Sequence, residues 1–145
     1  QGKSKACFTT LAERKTRFYI AMKMSDRRAE TMENAIVAAL SAFPPQLVKT
    51  ITCDRGTEFA NWRRIEERLH CEVYFADPYC AWQKGTNENL NGLLREFYPK
   101  GRNLSRVAPA TLKRNLALLN ARPRKVLYFH SAQELWDFEL NSCCT

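Results

Sequence analysis

At 145 residues the chain is long enough to bury one core and too short for two ordinary domains. No window approaches the roughly 18 consecutive apolar residues of a membrane span and nothing reads as a secretory leader, so no membrane role is expected. The net charge of +8 tells more by its placement than by its size: Arg95 to Lys125 holds nine basic residues and one acid, and the remainder balances to zero.

Ala6 to Ala12 and Arg17 to Met24 are rich in aromatic and branched residues. The polar Glu13-Arg14-Lys15-Thr16 between them predicts an antiparallel hairpin, with Glu13 at its tip and so away from sites built at strand ends. Ser25 or Asp26 is placed to cap a helix whose residues Ala29, Met32, Ile36, Ala39, Leu40 and Phe43 share one face, and Pro44-Pro45 stops it. Leu47 to Cys53 reads as a strand that delivers Asp54. A strand following a hairpin and a helix in the same sheet implies a crossover and a parallel neighbour. Ligand sites in open α/β sheets gather beyond the C-terminal strand ends, where Asp54 lies. A turn-forming Asp before Arg55-Gly56 gives the same local sequence.

Glu58 to Leu69 reads as a helix with Trp62, Ile65 and Leu69 inward. Glu58 lies one turn beyond Asp54, within reach of the same region, although capping its own helix or pairing with an Arg is the commoner role. Glu72 to Ala76 is a short strand ending at Asp77-Pro78, and Asp77 borders the same strand ends as a supporting group or a turn former. Tyr79 to Thr86 is an aromatic, polar, glycine-containing loop. Tyr79, Trp82, Gln83 and Lys84 suit sugar, base-face and phosphate contacts, while Trp82 packed beneath the loop fits equally well.

From about Lys84 to Tyr98 a helix is expected, with Leu90, Leu93, Leu94 and Phe97 toward the core and Lys84, Glu88, Asn91 and Arg95 on the other side. Asn87, Asn89 and Asn91 are poor interior helix formers, so three together suggest hydrogen-bonding duties. Pro109 opens a further helix with Leu112, Leu116 and Leu119 as its seam. Arg122-Pro123-Arg124-Lys125 reads as an exposed, phosphate-ready connector. Ser131-Ala132-Gln133-Glu134 is a capping box for a last short helix that packs through Leu135 and Phe138.

Six cysteines carry no Cys-x-x-Cys or Cys/His spacing, which disfavours zinc and suits reduced thiols in a cytoplasmic protein. The basic segment reads either as a solvated face or as the footprint of a polyanion.

Two phrases carry most information: Asp54-Arg55-Gly56-Thr57-Glu58-Phe59, and Trp82-Gln83-Lys84-Gly85-Thr86-Asn87-Glu88-Asn89-Leu90-Asn91-Gly92-Leu93-Leu94-Arg95 with Pro99-Lys100-Gly101 after it. Together they resemble the DDE transposases and retroviral integrases, and most closely the insertion sequence 30 family. Glu13-Arg14-Lys15-Thr16-Arg17-Phe18 and Asn120-Ala121-Arg122-Pro123-Arg124-Lys125 extend the resemblance over nearly the whole chain.

The resemblance implies an α/β, RNase H-like fold: a mixed five-stranded sheet flanked by helices, with its first strand truncated here. It implies that residues 1–145 are the catalytic core of a longer polypeptide whose upstream helix-turn-helix region is absent. It also implies metal-dependent DNA strand cleavage and strand transfer. Asp54 and Glu88 would hold two Mg²⁺ or Mn²⁺ ions, with Glu58 and Asp77 nearby. DNA, as transposon ends and target, would meet Lys84, Asn87, Asn91, Arg95, Lys100, Arg122, Arg124 and Lys125 in a homo-oligomer. The family's first Asp belongs on a strand before Lys5, and no carboxylate precedes Glu13, so these 145 residues alone are expected to lack activity. An RNase H-like nuclease or junction resolvase would use similar carboxylates without a joining step, and a DNA-binding module without catalysis would need none.

Overall fold

The computed structural model describes residues 5–80 and 85–143. Alternation along the first hairpin decides the layering. Strand β1 (Cys7–Ala12) pairs antiparallel with β2 (Tyr19–Met24), from Cys7 opposite Met24 to Ala12 opposite Tyr19. Successive side chains of a strand point to opposite faces. Cys7, Met22 and Met24 therefore join one core with helix α1 (Ala29–Leu40) and helix α2 (Trp62–Leu69), whereas Phe8, Tyr19 and Ala21 join another with α3 (Gly85–Phe97) and α4 (Pro109–Ala121). The hairpin tip is closed by Glu13, whose carboxylate accepts the Lys15 and Thr16 amides and the Thr16 hydroxyl at 3.0, 2.6 and 2.6 Å. Burial alone would raise its pKa; these bonds outweigh burial and hold it below the usual value.

Strand β3 (Thr50–Cys53) and β4 (Glu72–Phe75) form a parallel pair joined through α2, which ends at His70 in the left-handed conformation. The described strands thus make two two-stranded sheets rather than one continuous five-stranded sheet. Their facing edges are separated by open space. A cavity of about 320 Å³ lies between Thr10–Ala12 of β1 and Val48–Thr52, and one of about 240 Å³ between Cys7–Leu11 and Ile51–Asp54. A further strand would be needed to join the two ladders.

Several local expectations shift. Helix α1 stops at Leu40, and Phe43 leaves it to pack edge-on against Phe18 and Trp136. Asp26 accepts the Arg28 amide and the Thr31 hydroxyl instead of occupying the capping position, which falls to Arg28. Strand β3 begins only at Thr50, because Pro45–Leu47 forms a 3₁₀ turn. The helix expected from Glu58 breaks in two, a 3₁₀ turn at Thr57–Phe59 and then α2, with Asn61 between them outside helical geometry. In α5 (Ala132–Cys143) the inward aromatic is Trp136, stacked on Phe18, while Phe138 is exposed. The capping box forms as read: the Ser131 amide donates to Glu134 at 2.9 Å, and the Glu134 amide to Ser131 Oγ at 3.1 Å.

One buried carboxylate fixes α1 against the segment that follows β3. The Glu33 side chain is 2% exposed and accepts from Asn61 Nδ2 at 2.9 Å and from Arg68 at 3.0 Å, with Arg64 at 3.6 Å. Burial pushes its pKa up, but the bonds from Arg68 and Asn61 and the charges of Arg64 and Arg68 dominate, so the folded value lies below the usual one. A depressed carboxylate stabilises the fold fully above its unfolded pKa, about 4.3, and loses that contribution as pH falls through the folded value. Glu33→Gln should therefore cost about 2 kcal/mol at neutral pH, and this deficit should shrink below pH ~4, as followed by urea unfolding across that range.

Candidate catalytic and nucleic-acid site

Asp54 follows the last residue of β3, and Asp77 lies two residues beyond the end of β4. Because Cys53 is paired with Phe75, and the Ala76 amide donates to Cys53 O at 2.8 Å, both acids emerge at the same end of the parallel ladder. Asp54 is exposed and Glu58 half-buried, and both line the cavity between β1 and β3. Gly56 shapes this corner by its size. Its backbone angles suit any residue, but a Cβ there would lie 2.3 Å from Glu58 Oε2, so the Glu58 carboxylate folds back over the glycine. No cap bond from Glu58 appears at the 3₁₀ turn it occupies.

Helix α3 brings the second phrase to the same cavity. Leu90 and Leu94 are buried, and Leu93 and Phe97 pack at the edge of that core, as the spacing predicts. Asn91 departs from expectation: it faces the hairpin, not solvent. Its Oδ1 accepts from the Tyr19 hydroxyl at 2.6 Å and from the Thr10 hydroxyl at 2.8 Å, and Asn87 Oδ1 lies 3.4 Å from the same Thr10 oxygen. Burial raises the Tyr19 pKa further than the Thr10 bond and the Arg95 charge lower it, so the phenol stays a neutral donor. Arg17 also donates to Thr86 in the first turn of α3. Residue order gives no sign of this role for Thr10 or Tyr19, since β1 carries Thr9 and Thr10 side by side and Tyr19 opens an otherwise mostly apolar strand. Asn87 lines the cavity that holds Asp54 and Glu58, and Glu88 is the next residue along, exposed in the first turn. Lys84, with Trp82 and Gln83, lies outside the described residues.

The donor chemistry here is hard carboxylate oxygen, suited to a divalent ion such as Mg²⁺. The number is short, since among the described residues no three His, Cys, Asp or Glu side chains group as a metal site.

The basic segment divides three ways. Arg95, Lys100 and Lys125 are exposed. Arg122 pairs with Glu96 at 3.2 Å and sits over the Phe97 ring. Arg124, expected in the exposed connector, is turned inward: it donates to Leu119 O at 3.3 Å, and its Nε is buried without a partner. Burial, then the charges of Arg122 and Arg17, press its pKa below the usual value.

A strand-end aspartate opening on the same cavity as the first turn of a polar helix, between helical layers on both faces, defines an integrase-type core. The BIV integrase catalytic core domain has this fold, with a TM-score of 0.75 over 100% of this chain and 94% of that one at 16% identity. The chain belongs to the integrase core domain family, whose match spans residues 1–81. It is 38% identical over 128 residues to the probable transposase for insertion-like sequence element IS1161 of Streptococcus salivarius. It is 35% identical over 134 residues to the transposase InsI for insertion sequence element IS30C of Escherichia coli K12. The alignments cover 88% and 92% of this chain but only 36% and 35% of those relatives, so the chain spans about a third of their length.

Two substitutions separate packing from site geometry. Asn91→Ala leaves the Tyr19 and Thr10 hydroxyls without their acceptor and should cost about 2 kcal/mol, whereas Asn91→Asp keeps an acceptor and should recover much of that loss in thermal melts. Gly56→Ala should change stability by less than about 0.5 kcal/mol, because only the end of a flexible side chain must move. It should instead displace Glu58, read from the carboxylate's carbon-13 shift.

Proposed function

We propose that this chain is the catalytic core of an insertion-sequence transposase that cuts and joins DNA. What supports this most directly is the cavity that Asp54 shares with the first turn of α3, in a chain of the integrase core family. Polynucleotidyl transferases of this fold work with divalent metal ions. Asp54 and Glu88 would hold Mg²⁺ or Mn²⁺, with Glu58 and Asp77 alongside. When bound, a pair of such ions activates a water or a DNA 3′-hydroxyl and stabilises the leaving oxygen. The chain's own residues do the positioning. Asn87 and Asn91 keep the first turn of α3 against β1, which sets where Glu88 stands. Arg95, Lys100, Arg122 and Lys125, with Lys84, offer charge to the DNA backbone, where phosphate contacts release condensed counterions. Transposon ends and target DNA are the substrates, the active form is a homo-oligomer, and the reaction belongs to the bacterial cytoplasm. No helix among the described residues is long and apolar enough to cross a membrane.

The space between β1 and β3 bears on the metal count. The sequence holds no carboxylate before Glu13, and Glu13 is engaged in closing the hairpin tip. Mg²⁺ sheds its waters reluctantly, so two carboxylates should hold it weakly. Calorimetry should show weak or no Mn²⁺ binding to the 145-residue chain. A protein extended upstream through one further strand carrying an Asp should bind two ions, and Asp54→Ala or Glu88→Ala should abolish that binding. With labelled transposon ends the full-length protein should give joined products; cleavage without joining would make it a nuclease. Tight binding of two ions by the short chain would show that Glu58 or Asp77 completes the site.

A further inference from the structure

On the other side of β1 from the acidic corner lies a second cavity of about 240 Å³, lined by residues from β1, the C-terminal half of α3 and the turn that follows. Its charged residues are Arg27, Arg95, Lys100 and Arg102, and no carboxylate lines it. The nearest acids in sequence are engaged elsewhere. Asp26 accepts the Arg28 amide and the Thr31 hydroxyl, and Glu96 pairs with Arg122. Among the described residues none of the four cations forms an ion pair.

The turn that builds this cluster is specified locally. Helix α3 ends at Phe97, the Arg102 amide donates to Pro99 O at 3.2 Å, and Gly101 takes φ +88°, which a side chain would strain. Arg102 is held by a bond to Phe97 O at 3.0 Å and lies over the Tyr98 ring, 5.5 Å from its centre. Three planar guanidiniums and a lysine around a small cavity match the donor types that grip phosphate oxygens. The cavity is smaller than the roughly 300–1,000 Å³ of a typical small-molecule site. Cys7, Phe8, Thr10 and Arg27 line both this cavity and the one holding Asp54, so the two meet across β1.

We propose that this cavity is a phosphate subsite that grips the backbone of the DNA strand beside the reacting phosphodiester. This rests on the transposase reading for its ligand, while the anion site itself rests on Arg27, Lys100 and Arg102. Arg27 and Arg102 carry the assignment beyond the basic residues singled out by sequence, and they set strand register rather than take part in chemistry.

The test titrates the isotopically labelled 145-residue chain with inorganic phosphate and, separately, with a short random-sequence DNA duplex. Phosphate should shift the Gly101 and Arg102 amide signals and the Arg27 and Arg102 side-chain signals. The triple variant Arg27→Gln, Lys100→Gln, Arg102→Gln should lose the Gly101 response. In duplex binding it should flatten the slope of log affinity against log salt by roughly 0.9 per lost contact. Arg63→Gln, a charge change on α2, should leave that slope alone. A wild-type chain that binds duplex while the triple variant keeps its slope and affinity would overturn the proposal, as would polyglutamate producing the same shifts as phosphate. Phosphate shifts at Gly101 and Arg102 without duplex binding would uphold the anion site and fail the DNA reading. Signals unmoved by either ligand would end the proposal.

Discussion

The contact between α3 and the hairpin sets where the first turn of α3 meets the cavity that Asp54 lines. A single oxygen, Asn91 Oδ1, accepts from Thr10 on β1 and Tyr19 on β2, so the helix is tied to both strands at one point. Residues three and four apart share a helix face. Holding Asn91 and Asn87 against β1 therefore brings Asn87 to the cavity, with the exposed Glu88 the next residue along. Leu90 and Leu94 supply the burial that keeps the helix down, but leucines alone would let it rotate or slide. The directional bonds define its angle.

The opposite wall depends on a charged contact. Glu33 could not remain ionised in the core without Arg64, Arg68 and Asn61 around it, because burying an unpaired charge costs several kcal/mol. Asn61 stands where the 3₁₀ turn after Gly56 passes into α2, so the same cluster that satisfies Glu33 anchors the loop carrying Asp54 and Glu58. The acidic corner is thus held from two sides by polar bonds, while apolar layers hold the body of the domain.

Charge is sorted by tertiary position. Within one basic stretch, Arg122 is neutralised by Glu96, Arg124 is drawn inward to a helix carbonyl, and Arg95, Lys100 and Arg102 collect around a cavity without acids. That last group lines a cavity that no carboxylate shares. Arg27, far earlier in the chain, joins it because β1 and α3 lie side by side.

Much of this could be read from residue order. Apolar spacing identified the strands and most of the helical stretches, the Ser131–Glu134 box marked the start of α5, and two short phrases pointed to the integrase-type fold, since such patterns depend on neighbours a few residues away. Sequence periodicity misplaced what depends on distant partners. Asn91 counts as a surface position by helical spacing, yet it is occupied by hydroxyls 72 and 81 residues away. Phe138 and Trp136 are both aromatic on one short helix, and only the rings of Phe18 and Phe43 select Trp136 for burial. The break before α2 answers to Glu33 on another helix. The separation of the two ladders, and the meeting of Arg27 with Lys100 and Arg102, were decided by tertiary structure alone, because edge pairing and charge clustering are set by the packing of elements and not by any one element's pattern.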